Sequence, residues 1–238
     1  MKIALIGYGK MGKAIEAIAL ERGHEIVLTI DAHNTDALTA DNVKKADVAI
    51  EFTGPHTALE NLTKLIRFGV PVVSGSTGWL EKMPKLLSEI SQHNGTFLYA
   101  SNFSIGVNLF FELNKKLAAL MHPHKDYTVS LEEIHHTEKK DAPSGTAITL
   151  AEQIMEVYTE KKKWVNDVQP AAEELLITSK RIDPAPGIHT ITYSSEIDDI
   201  TITHTAHNRK GFALGAVLAA EFIRDKKGVF SMKDVLDL

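Results

Sequence analysis

The chain contains no cysteine, which excludes a disulfide framework and thiol catalysis and agrees with a reducing cytoplasm. It also lacks net positive charge: 26 Lys and Arg stand against 31 Asp and Glu, for a formal net charge of −5. No general field draws in nucleic acid or an anionic membrane, so any anion must be held by local arrangement, and nucleic acid is not an expected partner. Long apolar runs are missing too. Met1-Lys2 leads into a short apolar stretch ended by Gly7, shorter than a signal-peptide core, and the uncharged run from Gly211 to Ala220 is too short to span a bilayer. The expected location is cytoplasmic, with no membrane partner. No internal repeat is present, and residues 160–170 are the one polar, poorly patterned stretch, which predicts a mobile surface loop.

What is present is enough apolar material, 44% of 238 residues, for one large or two modest domains. Short apolar runs at 2–6, 25–30, 47–52, 71–74 and 96–100 predict strands, and helical spacing at 11–22, 56–68 and 81–93 falls among them. Such alternation with short connections builds a parallel sheet through right-handed crossovers. From Tyr127 the rhythm changes to strands at 127–134, 173–179, 188–193 and 198–204 with a helix at 146–158. Ile191, Tyr193, Ile200 and Ile202 alternate with polar neighbours, the mark of an open mixed or antiparallel sheet with one apolar face. A last helix at 212–224 and the tail around Val235-Leu236 need a partner, which the first sheet can provide.

The expected fold class is therefore α/β. A Rossmann-type doubly wound parallel sheet domain takes residues 1–103 and 211–238, and an α+β substrate-binding and oligomerisation domain with an open mixed sheet takes 104–210. Because one long helix is expected to cover the second sheet, part of its apolar face should be exposed and mark an interface between copies.

Gly7-Tyr8-Gly9-Lys10-Met11-Gly12 places Gly-x-Gly-x-x-Gly after a strand and at the start of a helix. The first glycine permits the turn, the second lets backbone approach a pyrophosphate, and the third lets helix pack on strand, with unpaired helix N–H groups facing the phosphates. Asp31 ends the second strand, where an acid can accept ribose hydroxyls. Gly75-Ser76-Thr77-Gly78 and Ser101-Asn102-Phe103 follow later strands of the same sheet; they are either further cofactor loops or ordinary turns.

The richest stretch joins Glu133-Ile134-His135-His136-Thr137-Glu138-Lys139-Lys140-Asp141-Ala142-Pro143 to a Ser144-Gly145-Thr146 helix start. Gly145 and Thr146 would present backbone N–H groups, and Thr146 a hydroxyl, to a carboxylate. His135, His136 and Lys139 add proton donors and positive charge around it. Plain capping by Ser144 and a solvated polar loop are the bland alternatives. His204 and His207, with His135 and His136, could be imagined as metal ligands, but no His-Glu-x-x-His pair and no cysteine support a metal, and none is expected.

His-His-x-x-Lys-x-Asp-Ala-Pro-Ser-Gly-Thr, here His135 to Thr146, resembles the signature of the 4-hydroxy-tetrahydrodipicolinate (dihydrodipicolinate) reductases of bacterial lysine and diaminopimelate synthesis. The likeness extends over Gly7 to Gly12, Gly75 to Gly78, Asn102 to Asn108, Phe212 to Ala216 and Met232 to Leu236. It implies that His135 is the catalytic acid/base and Lys139 the proton donor, with His136, Gly145 and Thr146 on substrate carboxylate. It further implies that Gly7, Tyr8, Gly9, Lys10, Met11, Gly12, Asp31, Gly75, Ser76, Thr77, Ala100, Ser101, Asn102 and Phe103 line a cofactor, NADH or NADPH. The substrate implied is a small cyclic dicarboxylate, and the assembly a homotetramer, with a dimer as alternative.

Two departures stand out. Ala32 follows Asp31 where members that bind the 2′-phosphate well often carry arginine, and 188–204 is shorter than the family pattern in the sheet used for assembly. Other two-domain nicotinamide oxidoreductases share the glycine motif but not the His-His-x-x-Lys loop. A dinucleotide-sensing regulator would be favoured by loss of His135 or Lys139, and both are present.

Overall fold

In the computed structural model, which describes residues 1–208 and 210–238, the chain divides into two compact units. One comprises Met1–Ile105 and Lys210–Leu238, and the other takes the intervening chain from Gly106.

In the first unit β1 (Lys2–Ile6), α1 (Lys10–Glu21), β2 (Glu25–Ile30), α2 (Ala40–Val43), β3 (Val48–Glu51), α3 (Ala58–Phe68), β4 (Val72–Ser74), α4 (Met83–His93) and β5 (Thr96–Tyr99) alternate. Ile3, Ala4, Leu5 and Ile6 are all buried, as are Val48, Ala49 and Ile50. Strands covered on both faces read as unbroken apolar runs, and that is why these short segments were legible. They form a parallel sheet in which β1 lies between β2 and β3, so chain order reverses at β1, the point where open α/β sheets take ligands.

α7 (Lys210–Ile223), β11 (Gly228–Phe230) and α8 (Met232–Leu236) complete this unit. Ala213, Ala216, Val217, Ala220 and Ile223 of α7 pack with Ile3, Leu5, Ile15 and Ile50, so the last helix and the tail do cover the first sheet. β11 joins the sheet beside β5 as a sixth strand that the sequence pattern did not announce. α3 stops where Gly69 turns left-handed at φ 78.

The second unit holds α5 (Ile105–Met121, its first residue in the other unit), β6 (Thr128–His135), α6 (Gly145–Val157), β7 (Lys163–Asn166), β8 (Glu174–Arg181), β9 (Gly187–Ser194) and β10 (Asp199–Ala206). The five strands form a mixed sheet in the order β10-β9-β6-β8-β7, parallel at β6/β8 and β7/β8 and antiparallel elsewhere.

Two expectations fail here. Residues 160–170 are not wholly loop, because Lys163–Asn166 pairs with β8 as an edge strand. Nor does one helix alone cover the apolar face. Phe110, Ala118 and Met121 of α5 join Leu150, Ala151 and Ile154 of α6 over Val129, Leu131, Leu175, Ile177, Ile191 and Tyr193. Burying each such large side chain stabilises by about 1.5–3 kcal/mol. The opposite face is mixed: Thr190 and Thr203 meet at 3.1 Å, Thr192 and Thr201 at 3.2 Å, and Lys180 pairs with Glu132, while Ile134, Leu176 and Ile188 lie half-buried on the same side. Among the described residues only the β10 edge of the apolar face stays open, where Ile200 opposite Tyr193 is exposed and Ile202 is half-buried.

Candidate active site

At the end of β1, Gly7 takes φ +99, and a Cβ there would sit 2.1 Å from the Phe52 carbonyl oxygen. The Gly7 and Tyr8 amides both donate to Ile30 O, at 2.8 and 3.0 Å, which ties the loop to β2. A Cβ on Gly12 would lie 2.4 Å from Gly7 O, so the helix can approach the loop only without a side chain. Gly9 differs: nothing lies within 4 Å of its Cβ position, and as N-cap of α1 it brings no capping side chain. Space and unpaired helix N–H groups coincide, and these residues fit a pyrophosphate.

Asp31 is exposed at the end of β2, its Oδ1 held by the His33 amide at 2.7 Å and its own amide by Asn34 Oδ1 at 2.7 Å. The Tyr8 hydroxyl is bonded to Glu16. Lys10 is exposed and Met11 half-buried. Two of the other proposed cofactor residues turn their side chains inward. Ser76 Oγ donates to Glu51 Oε1 at 2.8 Å and accepts from the Thr53 amide at 2.8 Å, and Phe103 packs in the core against Phe52. Gly75 lets the Phe52 ring approach, since a Cβ would stand 2.2 Å from it. Thr77 and Ser101 are exposed, Ala100 is half-buried, and Asn102 Oδ1 accepts from the Ser104 amide at 2.9 Å. Sequence reasoning missed Glu51. This fully buried carboxyl accepts from Ser74 Oγ at 2.7 Å, Ser76 Oγ, the Thr53 amide at 3.0 Å and Thr53 Oγ1, and so ties together the loops that follow β3 and β4.

In the second unit the end of β6 carries the chemistry. Glu133 and His135 lie on the face that Val129 and Leu131 use, so the apolar row ends in two buried polar residues. His135 Nδ1 meets Glu133 Oε2. Burial pushes the Glu133 carboxyl up, but hydrogen bonds from His135, Ser179 and Arg181 outweigh it and hold it at about 2. An ionised carboxylate only accepts, so Nδ1 carries the proton and Nε2 is left to exchange one. That nitrogen faces Gly187, whose Cβ would stand 3.0 Å away.

His189 pairs across from Glu133 on β9, its ring 5.2 Å from that of His135. Burial and the neighbouring His135 hold it down to about 3, so it is neutral. Its Nε2 meets Ser144 Oγ at 3.1 Å, and Ser144 caps α6 by accepting from the Ala147 amide at 3.2 Å. Gly145 is exposed at the helix start with nothing near its Cβ position, and Thr146 is half-buried beside it. His136 Nδ1 is buried without a hydrogen-bond partner. Lys139 Nζ lies 2.8 Å from both oxygens of Asp141. His135, His136, Lys139, Gly145 and Thr146 thus belong to one strand, loop and helix start.

The imagined histidine cluster is replaced by another, Glu133, His135 and His189, whose ligand atoms lie within 4.8 Å of one another. Arg181 already brings a positive charge there, 3.0 Å from Glu133 Oε1, so the carboxylate is engaged by a guanidinium. An apolar depression lined by Ile134, Ile182, Pro184, Pro186 and Ile188 is not this site, because Ile134 points to the other face of the sheet from His135. Arg181, His189 and the role of Glu133 went unread. The available signal was parity, since Glu133 shares the inward phase of Val129 and Leu131.

Residues 1–103 match the family described as "Dihydrodipicolinate reductase, N-terminus" and 106–236 the one described as "Dihydrodipicolinate reductase, C-terminus". The chain belongs to the dihydrodipicolinate reductase family. It is 51% identical to the 4-hydroxy-tetrahydrodipicolinate reductase of Christiangramia forsetii over 99% of this chain and 98% of that protein. The enzyme of the same name from Methanoregula boonei is 32% identical over 100% of this chain and 98% of its own length. The fold matches a dipicolinate-bound dihydrodipicolinate reductase from Paenisporosarcina sp. TG-14 with a TM-score of 0.76 at 23% identity, covering 97% of each chain. As a dihydrodipicolinate reductase the chain is an oxidoreductase of lysine and diaminopimelate biosynthesis that uses a nicotinamide cofactor. Among the described residues no helix is long and apolar enough to cross a membrane.

Proposed function

We propose that this chain reduces 4-hydroxy-tetrahydrodipicolinate to tetrahydrodipicolinate with NADH or NADPH, using His135 and Lys139 as its proton-handling groups. One observation carries the residue roles: the His-His-x-x-Lys loop runs directly into an open helix start, with His135 fixed in one tautomer by a buried carboxylate. The substrate is a cyclic dicarboxylate bearing an imine. Its hydroxyl leaves with a ring proton as water, hydride adds at ring C4 of the conjugated product, and a proton is delivered to the adjacent carbon. Nicotinamide supplies the hydride when bound.

The chain's own residues bind and protonate. Backbone N–H groups at Gly145 and Thr146 receive one carboxylate at the α6 N-terminus, and the family resemblance adds His136 as a further carboxylate contact. Lys139 exchanges Asp141 for substrate and acts as proton donor, while His135 works through Nε2 as acid/base. No metal is needed, because cationic and N–H donors meet the charge of the dianion.

The first unit holds the cofactor. Gly7 to Gly12 cradle the pyrophosphate, Asp31 accepts the ribose hydroxyls, and Gly75 to Thr77 with Ala100 to Phe103 lie along the remainder, Ser76 and Phe103 through backbone alone. Asp31 repels a 2′-phosphate and Ala32 brings no compensating charge, so NADH serves at least as well as NADPH. A kcat/KM strongly favouring NADPH would show that Lys10 or His33 dominates instead.

The protein works in the cytoplasm as a homo-oligomer, a tetramer with a dimer as the alternative. Support comes from the family resemblance and from the half-exposed threonine face of the second sheet, and light scattering at micromolar concentration measures the mass. The function itself is tested by condensing aspartate semialdehyde with pyruvate through the preceding enzyme and following nicotinamide absorbance. Folded protein that oxidises no cofactor above the enzyme-free control overturns it.

A further inference from the structure

Arg181 closes β8, and the parallel register places it beside His135 on β6. Neighbouring residues of a parallel pair point to the same face, so its side chain leaves the sheet next to the histidine. From there the guanidinium reaches in three directions. Nη1 donates to Glu133 Oε1 at 3.0 Å and to Lys180 O at 2.8 Å, Nη2 donates to Asp141 O at 2.6 Å, and Nε donates to Lys139 O at 3.3 Å. One cation therefore binds both the carboxylate that sets the His135 tautomer and the backbone of the loop that carries Lys139.

The chemistry of the two loop contacts is specific. Lys139 and Asp141 form an ion pair through their side chains, and Arg181 holds the main-chain carbonyls of the same two residues. When Lys139 Nζ gives up Asp141 for a substrate oxygen, the backbone beneath it stays in place. A lysine at 181 could not do this, because an ammonium lacks the planar fork that addresses several acceptors at once. β8 also continues into Asp183, which accepts from the Thr137 amide at 3.1 Å and from Thr137 Oγ1 at 2.7 Å, so the start of the loop is fixed from the same strand end.

We propose that Arg181 is a positioning residue, which locks the Lys139 loop to the Glu133–His135 pair so that proton donor and acid/base meet substrate as one rigid unit. The inference rests on the reaction proposed above, and its test separates the two. Arg181→Met and Arg181→Lys are compared with the wild-type chain by limited trypsin cleavage after Lys139 and Lys140, by kcat and KM in the coupled assay, by cofactor dissociation constant, and by response to millimolar guanidinium.

In R181M, cleavage in the loop should rise about tenfold, the factor that one or two lost hydrogen bonds make in a local opening equilibrium. Its kcat should fall about 10²-fold, as expected for catalytic groups displaced by about 1 Å, with KM and cofactor affinity little changed. Added guanidinium should restore part of the lost kcat. R181K should lie closer to R181M than to wild type. A merely structural arginine would change stability and KM without guanidinium rescue. Wild-type kcat in R181M, unchanged loop cleavage, or the absence of rescue overturns the proposal. If R181M does not fold, R181K carries the same comparison, and a wild-type kcat in it overturns the fork argument. Should the wild-type chain itself fail to turn over, the reaction is wrong, and loop cleavage alone then decides whether the clamp exists.

Discussion

Each unit buries one carboxyl group at the functional end of its sheet, and the two are compensated differently. Glu51, the last residue of β3, is surrounded by hydroxyls and an amide from Ser74, Ser76 and Thr53. Glu133, near the end of β6, is met by a histidine and an arginine. Neutral donors can hold loops in shape but move no proton. A titratable and a cationic partner fix a tautomer and bind the Lys139 loop into the same network. Under the proposed function, the first unit is the one that binds and the second the one that protonates.

The sharpest way to break that division is to remove the proton-handling groups. His135→Gln and Lys139→Ala should each lower kcat by about 10²- to 10⁴-fold while the cofactor dissociation constant, a property of the first unit, stays near wild type. A matching loss of cofactor affinity would mean that the units do not divide the work. In the other direction, Glu51→Gln replaces one of the oxygens that accept from Thr53, Ser74 and Ser76 with an NH2 group facing those donors, which should cost about 1–3 kcal/mol in stability. Cofactor affinity should fall with it, read by thermal melts and by fluorescence titration, because the loops after β3 and β4 lose their common anchor. Unchanged affinity would reduce Glu51 to packing.

Gly9→Ala sharpens the comparison further, since the added methyl meets no protein atom and Gly9 is not in a left-handed conformation. Stability should shift by less than about 1 kcal/mol, while cofactor binding weakens about tenfold, or about 1.4 kcal/mol. Retained affinity would place the pyrophosphate elsewhere.

A separate expectation, outside the proposed reaction, concerns pH. His189 is held down to about 3 in the fold against an ordinary value of 6.5, so between those values the unfolded chain binds the extra proton. Stability from this group is complete above pH 6.5 and is lost as pH falls toward 3, by about 1.4 kcal/mol per unit. His189→Asn should flatten the fall in melting temperature between pH 6.5 and 5, and an equal fall in the variant would assign it to other groups.

Much of this organisation was legible in the chain itself. Local pattern fixed the buried parallel strands, the glycine turn after β1 and the histidine-lysine loop with its helix start, because each depends on neighbours a few residues apart. α5 escaped notice because its apolar residues surround it: Leu109, Leu113 and Leu120 are exposed while Val107, Phe110, Ala118 and Met121 are buried, which blurs any single face. β7 is four residues long, and only pairing with β8 makes it a strand. The placement of Arg181 and His189 around Glu133 and His135 was decided by tertiary structure alone. Sheet register joins residues far apart in sequence, and a slip of one position in β8 or β9 would turn either side chain to the opposite face.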